Sequence, residues 1–385
     1  MKKIIYLDNA AATPLAAEVK KEILRGLSLY ANPSSFNDAG REVRKELEAA
    51  RKAIAKFIGA GPAEIIFTGS GSEANNLAVL GAAKARAGGG KEILTTPLEH
   101  ASVLKPLESL RSEFKLIFLK VDEKGLVDLA DLKRRLTPKV FLVSVMYANN
   151  EIGTIEPIKK ISKIIKDFKK QSLSEHYPLF HVDACQAVEY LDVNVNNLGV
   201  DLLSFNGTKI YGPRGIGVLY VRRGVPVRPL VLGGEHERGL RAGTENLSAI
   251  LGLAKALELI NSKEGIKIAA LRDYFFKKLA EIMPDTKING ALGGGRLPNN
   301  INISIPGTNS EKLLLELDKY GIRAGSGSAC TSHAVEPSHV LKAIGVREPY
   351  LDGVLRFSLG RQTSQKDIDF VVKILQQIVK KAKQP

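Results

Sequence analysis

The sequence predicts an α/β protein, a large domain with a mostly parallel central sheet wrapped by helices plus a smaller α/β domain. Three observations carry this. Strand-like apolar runs alternate with helix-like segments from about residue 18 to 260, the pattern of a sheet wound with helices on both faces. A buried-type strand over 200–205 ends in small and polar residues, then a glycine-rich turn and a second apolar strand follow. After Leu232-Gly233-Gly234 a long helix over 246–260 leads out of this domain, and the rest reads helix–strand–helix–strand–helix. The division is therefore 14–260 for the large domain, with 1–13 and 261–385 in the smaller one.

Taken in order, 18–30 and 41–58 read as amphipathic helices, 64–68 as a strand and 72–86 as a helix. Further strands fall at 92–96, 115–119, 140–146 and 179–182, and in the second domain at 300–305 and 355–358. The chain shows no repeats and no low-complexity segment.

Composition narrows the function classes. A chain of 385 residues has ample length for a sizeable core, and 44% hydrophobic with 25% charged residues is ordinary for a soluble globular protein. Lys2 and Lys3 precede a short apolar stretch, but Asp8 and Asn9 cut it well short of a signal peptide. No apolar run reaches membrane-spanning length. Two cysteines, Cys185 and Cys330, fit a reducing cytoplasm. The formal net charge of +15 invites a nucleic-acid partner. The densest basic cluster (Lys159, Lys160, Lys163, Lys166, Lys169 and Lys170) falls on one helix with no aromatic residues interleaved. That argues against direct nucleic-acid contact and for a solvated face or an acidic protein partner.

The chemistry gathers at strand ends. Lys209 follows the strand over 200–205 and precedes Gly212, Gly215 and Gly217, and Asp183 ends the apolar run Phe180-His181-Val182. A lysine at the mouth of a sheet, its pKa lowered by burial, is a usable amine nucleophile or base. Paired with an aspartate on a neighbouring strand it meets the needs of a pyridoxal phosphate site. There the lysine makes the Schiff base and the acid keeps the pyridine nitrogen protonated.

Other stretches converge on the same edge. Ile65-Ile66-Phe67-Thr68-Gly69-Ser70-Gly71-Ser72-Glu73-Ala74 is a strand, a small-residue turn and a helix start, which is an anion site. It also matches Gly-x-Gly-x-x-Ala with Glu92 near the acidic offset, so a dinucleotide reading is the alternative. His100, after Pro97-Leu98-Glu99, emerges on the edge where ligands sit in open α/β sheets and is placed to stack on a cofactor. Cys330 lies in Gly325-Ser326-Gly327-Ser328-Ala329-Cys330-Thr331-Ser332, a setting built for exposure and movement that suits a nucleophile. Cys185, in a strand-end segment, reads as an inert core residue. Arg356, inside Val354-Leu355-Arg356-Phe357-Ser358, needs an anionic partner, and its planar fork suits a substrate carboxylate.

Together these stretches resemble the cysteine desulfurases of the class V aminotransferase family, which are fold-type I pyridoxal phosphate enzymes. The similarity includes Tyr6-Leu-Asp-Asn-Ala-Ala-Ala-Thr13, Asn32-Pro-Ser-Ser35, Asn149-Asn-Glu-Ile-Gly153, His181-Val-Asp-Ala-Cys-Gln186, His236-Glu-Arg-Gly239, Arg241-Ala-Gly-Thr244, Ser328-Ala-Cys-Thr-Ser332 and Arg356-Phe-Ser-Leu-Gly-Arg361. The long segment between Cys330 and Arg356 is similar to the group serving iron–sulfur cluster assembly and tRNA thiolation, in which the cysteine rides on a mobile loop, here about 324–335.

The resemblance implies a homodimer that takes L-cysteine and passes sulfur to an acceptor or scaffold protein. In it Lys209 carries pyridoxal 5'-phosphate, Asp183 pairs with the pyridine nitrogen and Gln186 bonds the phenolic oxygen. His100 stacks on the ring and shuttles protons. Gly71, Ser72 and, from the other subunit, Thr244 cradle the phosphate. Asn32, Asn150 and Arg356 hold substrate carboxylate and cofactor. Cys330 takes the sulfur as a persulfide, with no metal site beyond a transient iron–sulfur contact at that thiol.

Asn206 and Thr208 stand where the family usually has a serine and a histidine around the lysine; both still donate hydrogen bonds, but a positive charge is lost. Ala12 replaces a common threonine. The chain ends at Pro385 without the extended tail that some relatives use to grip the scaffold. The alternatives are another class V enzyme, a selenocysteine lyase or aminotransferase, and more remotely a nucleotide- or nucleic-acid-binding module.

Overall fold

The structure, a computed structural model, describes residues 3–86, 90–172, 177–327 and 337–382. Among them are twelve strands: β1 (Ile5–Tyr6), β2 (Ile65–Thr68), β3 (Glu92–Thr95), β4 (Lys115–Phe118), β5 (Val140–Met146), β6 (Leu179–Asp183), β7 (Leu202–Asn206), β8 (Gly217–Val221), β9 (Lys287–Ile288), β10 (Asn300–Ser304), β11 (Ile322–Arg323) and β12 (Val354–Ser358). Seven form one sheet in the order β2-β8-β7-β6-β5-β3-β4. Pairing is parallel from β7 through β4, and β8 runs antiparallel to both of its neighbours. The carboxyl ends of β2, β3, β5, β6 and β7 therefore open on one edge.

The central strands form because their residues are mostly apolar. In β5 (Val-Phe-Leu-Val-Ser-Val-Met) and β6 every residue is buried, as a sheet covered on both faces requires. One face packs against the helices Ala17–Ser28, Asp38–Ile58, Ile158–Gln171 and Leu247–Glu258, through residues such as Ile54, Ile161, Phe180 and Ile250. The other packs under the helical run that starts at Gly71, through Leu77, Val79, Phe141 and Leu219. The Asp38–Ile58 helix starts on an Asn37 cap and stops at Gly59, whose φ of 70° lies in the left-handed region. In the Ile158–Gln171 helix Ile161 and Ile165 are buried, while Lys160, Lys163, Lys166 and Lys170 face solvent.

A separate core unites Ile5 and Leu7 with Ile268, Phe275, Ile303, Leu317, Phe357 and Leu375. It surrounds the antiparallel sheet β12-β10-β9 and the parallel pair of β1 with β11. A third cluster, with Leu98, Met146 and Ile152 from the large sheet's loops and Val340, Leu341 and Val354 from the C-terminal part, seals the join. No helix among the described residues is long and apolar enough to cross a membrane.

The 236–239 motif is explained by one buried ion pair. Arg51 on the Asp38–Ile58 helix grips Glu237 with both terminal nitrogens (2.9 and 2.7 Å), and Glu237 also accepts the Phe67 N–H of β2 at 2.8 Å. Glu237 and Arg238 have φ of 48° and 58°, costing about 1–2 kcal/mol each, and the pair is what holds that strained turn. Arg51→Met leaves an uncompensated buried carboxylate and is expected to lower stability by about 3–5 kcal/mol in denaturant unfolding. Arg51→Met/Glu237→Gln recovers part of the loss.

Candidate active site

The sheet edge opens into a cavity whose floor is Asp183. This acid, 5% exposed, ends β6 and is fixed by two donors: Cys185 N–H to Oδ1 at 2.9 Å and Asn75 Nδ2 to Oδ2 at 2.7 Å. One strand over, β7 ends at Asn206 and the chain tightens into a 3-10 turn, Gly207–Lys209, that aims Lys209 into the same space. Lys209 Nζ donates to the Ala11 carbonyl, and Gln186 Nε2 donates to the Ala10 carbonyl at 2.9 Å. The N-terminal segment thus lies across the cavity. It is pinned by Thr13, whose N–H and hydroxyl both reach the Thr208 carbonyl at 2.9 Å.

On the other side β2 runs into Gly69-Ser70 and a helix start. Ser70 Oγ caps it by accepting the Glu73 N–H at 3.1 Å, and Glu73 accepts the Gly69 N–H at 2.8 Å while pairing with Arg241 at 2.9 Å. Glycine suits position 71, since a Cβ would come within 2.6 Å of Asn206 Nδ2 and 2.7 Å of Cys185 Sγ and would displace those two cavity-lining side chains. Ser72, Thr208 and Asn206 line the space beside it. Asn206 Oδ1 and Arg356 Nε are buried with no hydrogen-bond partner among the described residues. A glycine cradle at a helix start, a lysine, a buried acid and orphaned polar atoms in one cavity fit a phosphorylated pyridine aldehyde.

His100 lines the same cavity from the loop after β3. Burial lowers its pKa, the Asp183 charge opposes that shift and Lys209 adds to it. Arg356 departs from expectation. Its carboxylate partner is internal: Nη2 reaches Asp8 at 2.9 Å, while Nη1 donates to the Asn150 and Gly327 carbonyls at 3.1 and 3.0 Å. Among the described residues Nε has no partner and Nη2 has spent only one of its two hydrogens, on Asp8, so the guanidinium offers an incoming anion one edge rather than its full fork.

The cavity gathers Gly71, Ser72, His100, Asn150, Asp183, Gln186, Asn206, Thr208, Lys209 and Arg356. Asn32 and Thr244 do not line it. Both are exposed, and Asn32 Oδ1 is engaged locally by the Ser34 N–H at 2.8 Å. Cys330 lies outside the described residues, as does most of 324–335. The described residues on either side of it meet at the cavity wall, where Gly327 accepts from Arg356 and Ser338 Oγ donates to the buried Glu151 at 2.5 Å.

Cys185 is inert as expected but lines the cavity rather than the core. After β6 the chain turns, so Ala184 and Ala187 point into the core and Cys185 and Gln186 into the cavity. Burial, then the Asp183 charge, holds the thiol well above its ordinary pKa, so it lines the site without being a nucleophile. The dinucleotide reading of 69–74 also fails. Among the described residues β2 is an edge strand paired only with antiparallel β8, not the central parallel strand such a turn follows. The acid at the expected offset, Glu92, instead meets Lys115 at 3.3 Å. Asn75, Ser102 and Glu99 escaped sequence reasoning; the usable signals were one helical turn from Gly71 and adjacency to His100.

With this geometry in view, the profile described as aminotransferase class-V matches residues 5–371. The chain belongs to that family. A curated relative, cysteine desulfurase IscS of Dictyoglomus turgidum, is 45% identical over 99% of this chain and 96% of its own. A solved NifS-like protein superposes with a TM-score of 0.91 at 33% identity, covering 98% of this chain and 100% of that one. A structure titled SspA in complex with cysteine gives a TM-score of 0.80 at 31% identity, covering 94% and 100%. The fold is that of fold-type I pyridoxal phosphate enzymes, and pyridoxal 5'-phosphate is the cofactor.

Two outcomes follow from the geometry. Gly71→Ala is expected to weaken uptake of added pyridoxal phosphate by the apoprotein at least about tenfold, read from its visible absorbance. Glu99, wholly buried behind His100, accepts from Thr96 Oγ1 (2.8 Å) and the Met146 N–H (2.9 Å), and burial raises its pKa from 4.5 to about 8. Its folded value lies above its unfolded one, so its stabilising contribution is complete below pH 4.5 and drains away as pH rises toward 8. Glu99→Gln, which mimics the protonated form, is expected to flatten the fall in unfolding free energy between about pH 5 and about pH 8.

Proposed function

We infer that the protein is a pyridoxal phosphate-dependent cysteine desulfurase. It converts L-cysteine to L-alanine and delivers the sulfur as a persulfide. The observation that carries this is Lys209, Asp183 and Arg356 facing one cavity, in a chain matched over 99% of its length by a protein named cysteine desulfurase. A relative titled as a complex with cysteine supports the substrate.

The bound cofactor supplies an electron sink for the substrate amino acid. Lys209 is the amine that would hold it, and the same amine is placed to take the proton from the substrate Cα. Asp183, held by the Cys185 N–H and Asn75, would meet the pyridine nitrogen. Gln186, Asn150, Asn206, Thr208, Gly71 and Ser72 are its polar contacts. Arg356 Nε receives the substrate carboxylate, aimed by the internal bond to Asp8. The Cys330 thiolate takes the substrate sulfur: a sulfur–sulfur bond forms as the carbon–sulfur bond breaks, and alanine leaves.

Thr244 and Asn32, exposed on this chain, fit contributions made in a homodimer. Two apolar cores support treating 14–260 as one unit and 1–13 with 261–385 as the other. We assign the sulfur to a cytoplasmic acceptor for iron–sulfur assembly or tRNA thiolation. Incubation with L-cysteine and a reductant is expected to give alanine and sulfide in equal amounts. Cys330→Ala keeps the yellow cofactor and loses sulfide release, and continued release from that variant would sink the persulfide route.

A further inference from the structure

Along the cavity wall a partly buried chain of hydrogen bonds runs from Asp183 to His100. Asn75, 1% exposed, splits its Nδ2 between Asp183 Oδ2 at 2.7 Å and Ser102 Oγ at 2.9 Å. Ser102 Oγ in turn lies 2.8 Å from His100 Nδ1, and the Ser102 backbone N–H donates to the same nitrogen at 3.1 Å. We propose that Asn75 and Ser102 are positioning residues that join Asp183 to His100 and hold the His100 ring with its proton on Nε2.

The donor directions follow one another. A carboxylate accepts, so the Asn75 atom facing Asp183 is its amide nitrogen. That nitrogen only donates, so Ser102 Oγ accepts from it and turns its own hydrogen to His100. Nδ1 then receives two donors and has no room for a proton, which fixes the tautomer. The ring also caps the helix Ala101–Ser109 through Nδ1, where the helix dipole disfavours an imidazolium. Among the described residues Asn75 Oδ1 is buried without a partner, a cost that a role for Nδ2 offsets. His100 therefore enters the reaction as a donor at Nε2. The inference rests on the cofactor reading only in taking Asp183 and His100 as cofactor contacts.

The test uses full-length holoenzyme labelled with [15N]histidine, titrated by NMR, with His100 assigned by its loss in His100→Gln. The wild type should show a bare Nδ1 and a protonated Nε2. Ser102→Ala removes a donor to the neutral ring, and Asn75→Ala frees the Ser102 hydroxyl to accept from an imidazolium. Both should raise the His100 pKa by about half a unit or more. Ser102→Thr keeps the hydroxyl and should titrate as wild type.

The charged groups facing the ring, Asp183, Lys209, Glu151 and His339, are unchanged in all three variants. A protonated Nδ1 in the wild type, or variants that titrate with it, overturns the proposal. If Asn75→Ala does not fold, Ser102→Ala decides alone. No turnover is needed, so absent desulfurase activity leaves this readout standing.

Discussion

An acid placed 5% exposed at the end of a central parallel strand constrains everything around it. Asp183 cannot be left to water, so the turn after β6 must present the Cys185 N–H to one oxygen and the helix from Gly71 must present Asn75 to the other. The first demand fixes where Gln186 points, because it is the next residue. The second fixes the depth of the helix, and with it the distance of the Gly71 turn from β7. At that depth any side chain on residue 71 would push Asn206 and Cys185 aside.

The cavity also depends on the two parts of the chain staying joined above it. Arg356, on β12 of the C-terminal sheet, ties Asp8 of the N-terminal segment, Asn150 of the loop after β5 and Gly327 in one cluster. The Glu151 carbonyl accepts from Asn300 (2.9 Å) and Asn302 (3.1 Å) of β10. These are polar bonds in a buried seam, more directional than the apolar contacts flanking them. They explain why the motifs Leu7-Asp-Asn-Ala, Asn149-Asn-Glu and Arg356-Phe-Ser, distant in sequence, act as one structural unit.

The sequence made the strands legible wherever a buried parallel sheet forces uninterrupted apolar residues. The run over 140–146 is β5 to the residue, and most other strands end within one or two residues of expectation. The two-residue strands β1, β9 and β11 were invisible, because such pairings are set by partners far away in the chain rather than by local pattern. In the site, Asp183, Lys209, Arg356 and Gly71 stood out as residue types at odds with their apolar or strand-end surroundings. Asn75 and Ser102 did not, since a polar residue on a helix looks solvent-facing until the fold buries it. Arg356 was legible as a buried charge needing an acid, but not that Asp8, 348 residues away, would supply it.

The cup around the phosphate position follows from the same packing. Asn206 and Thr208 are neutral, so positive potential there comes from the helix start at Gly71, with Lys209 alongside. A neutral pair gives up Coulombic attraction but presents fixed donors. Asn206 Nδ2 occupies the space that a Cβ at position 71 would need, and the Asn206 side chain also hydrogen-bonds the Cys185 side chain. The orphaned Asn206 Oδ1 makes that orientation costly in the bare protein. The amide is therefore placed by its neighbours at the Gly71 turn and by Cys185, and such preorganisation offsets part of the charge given up.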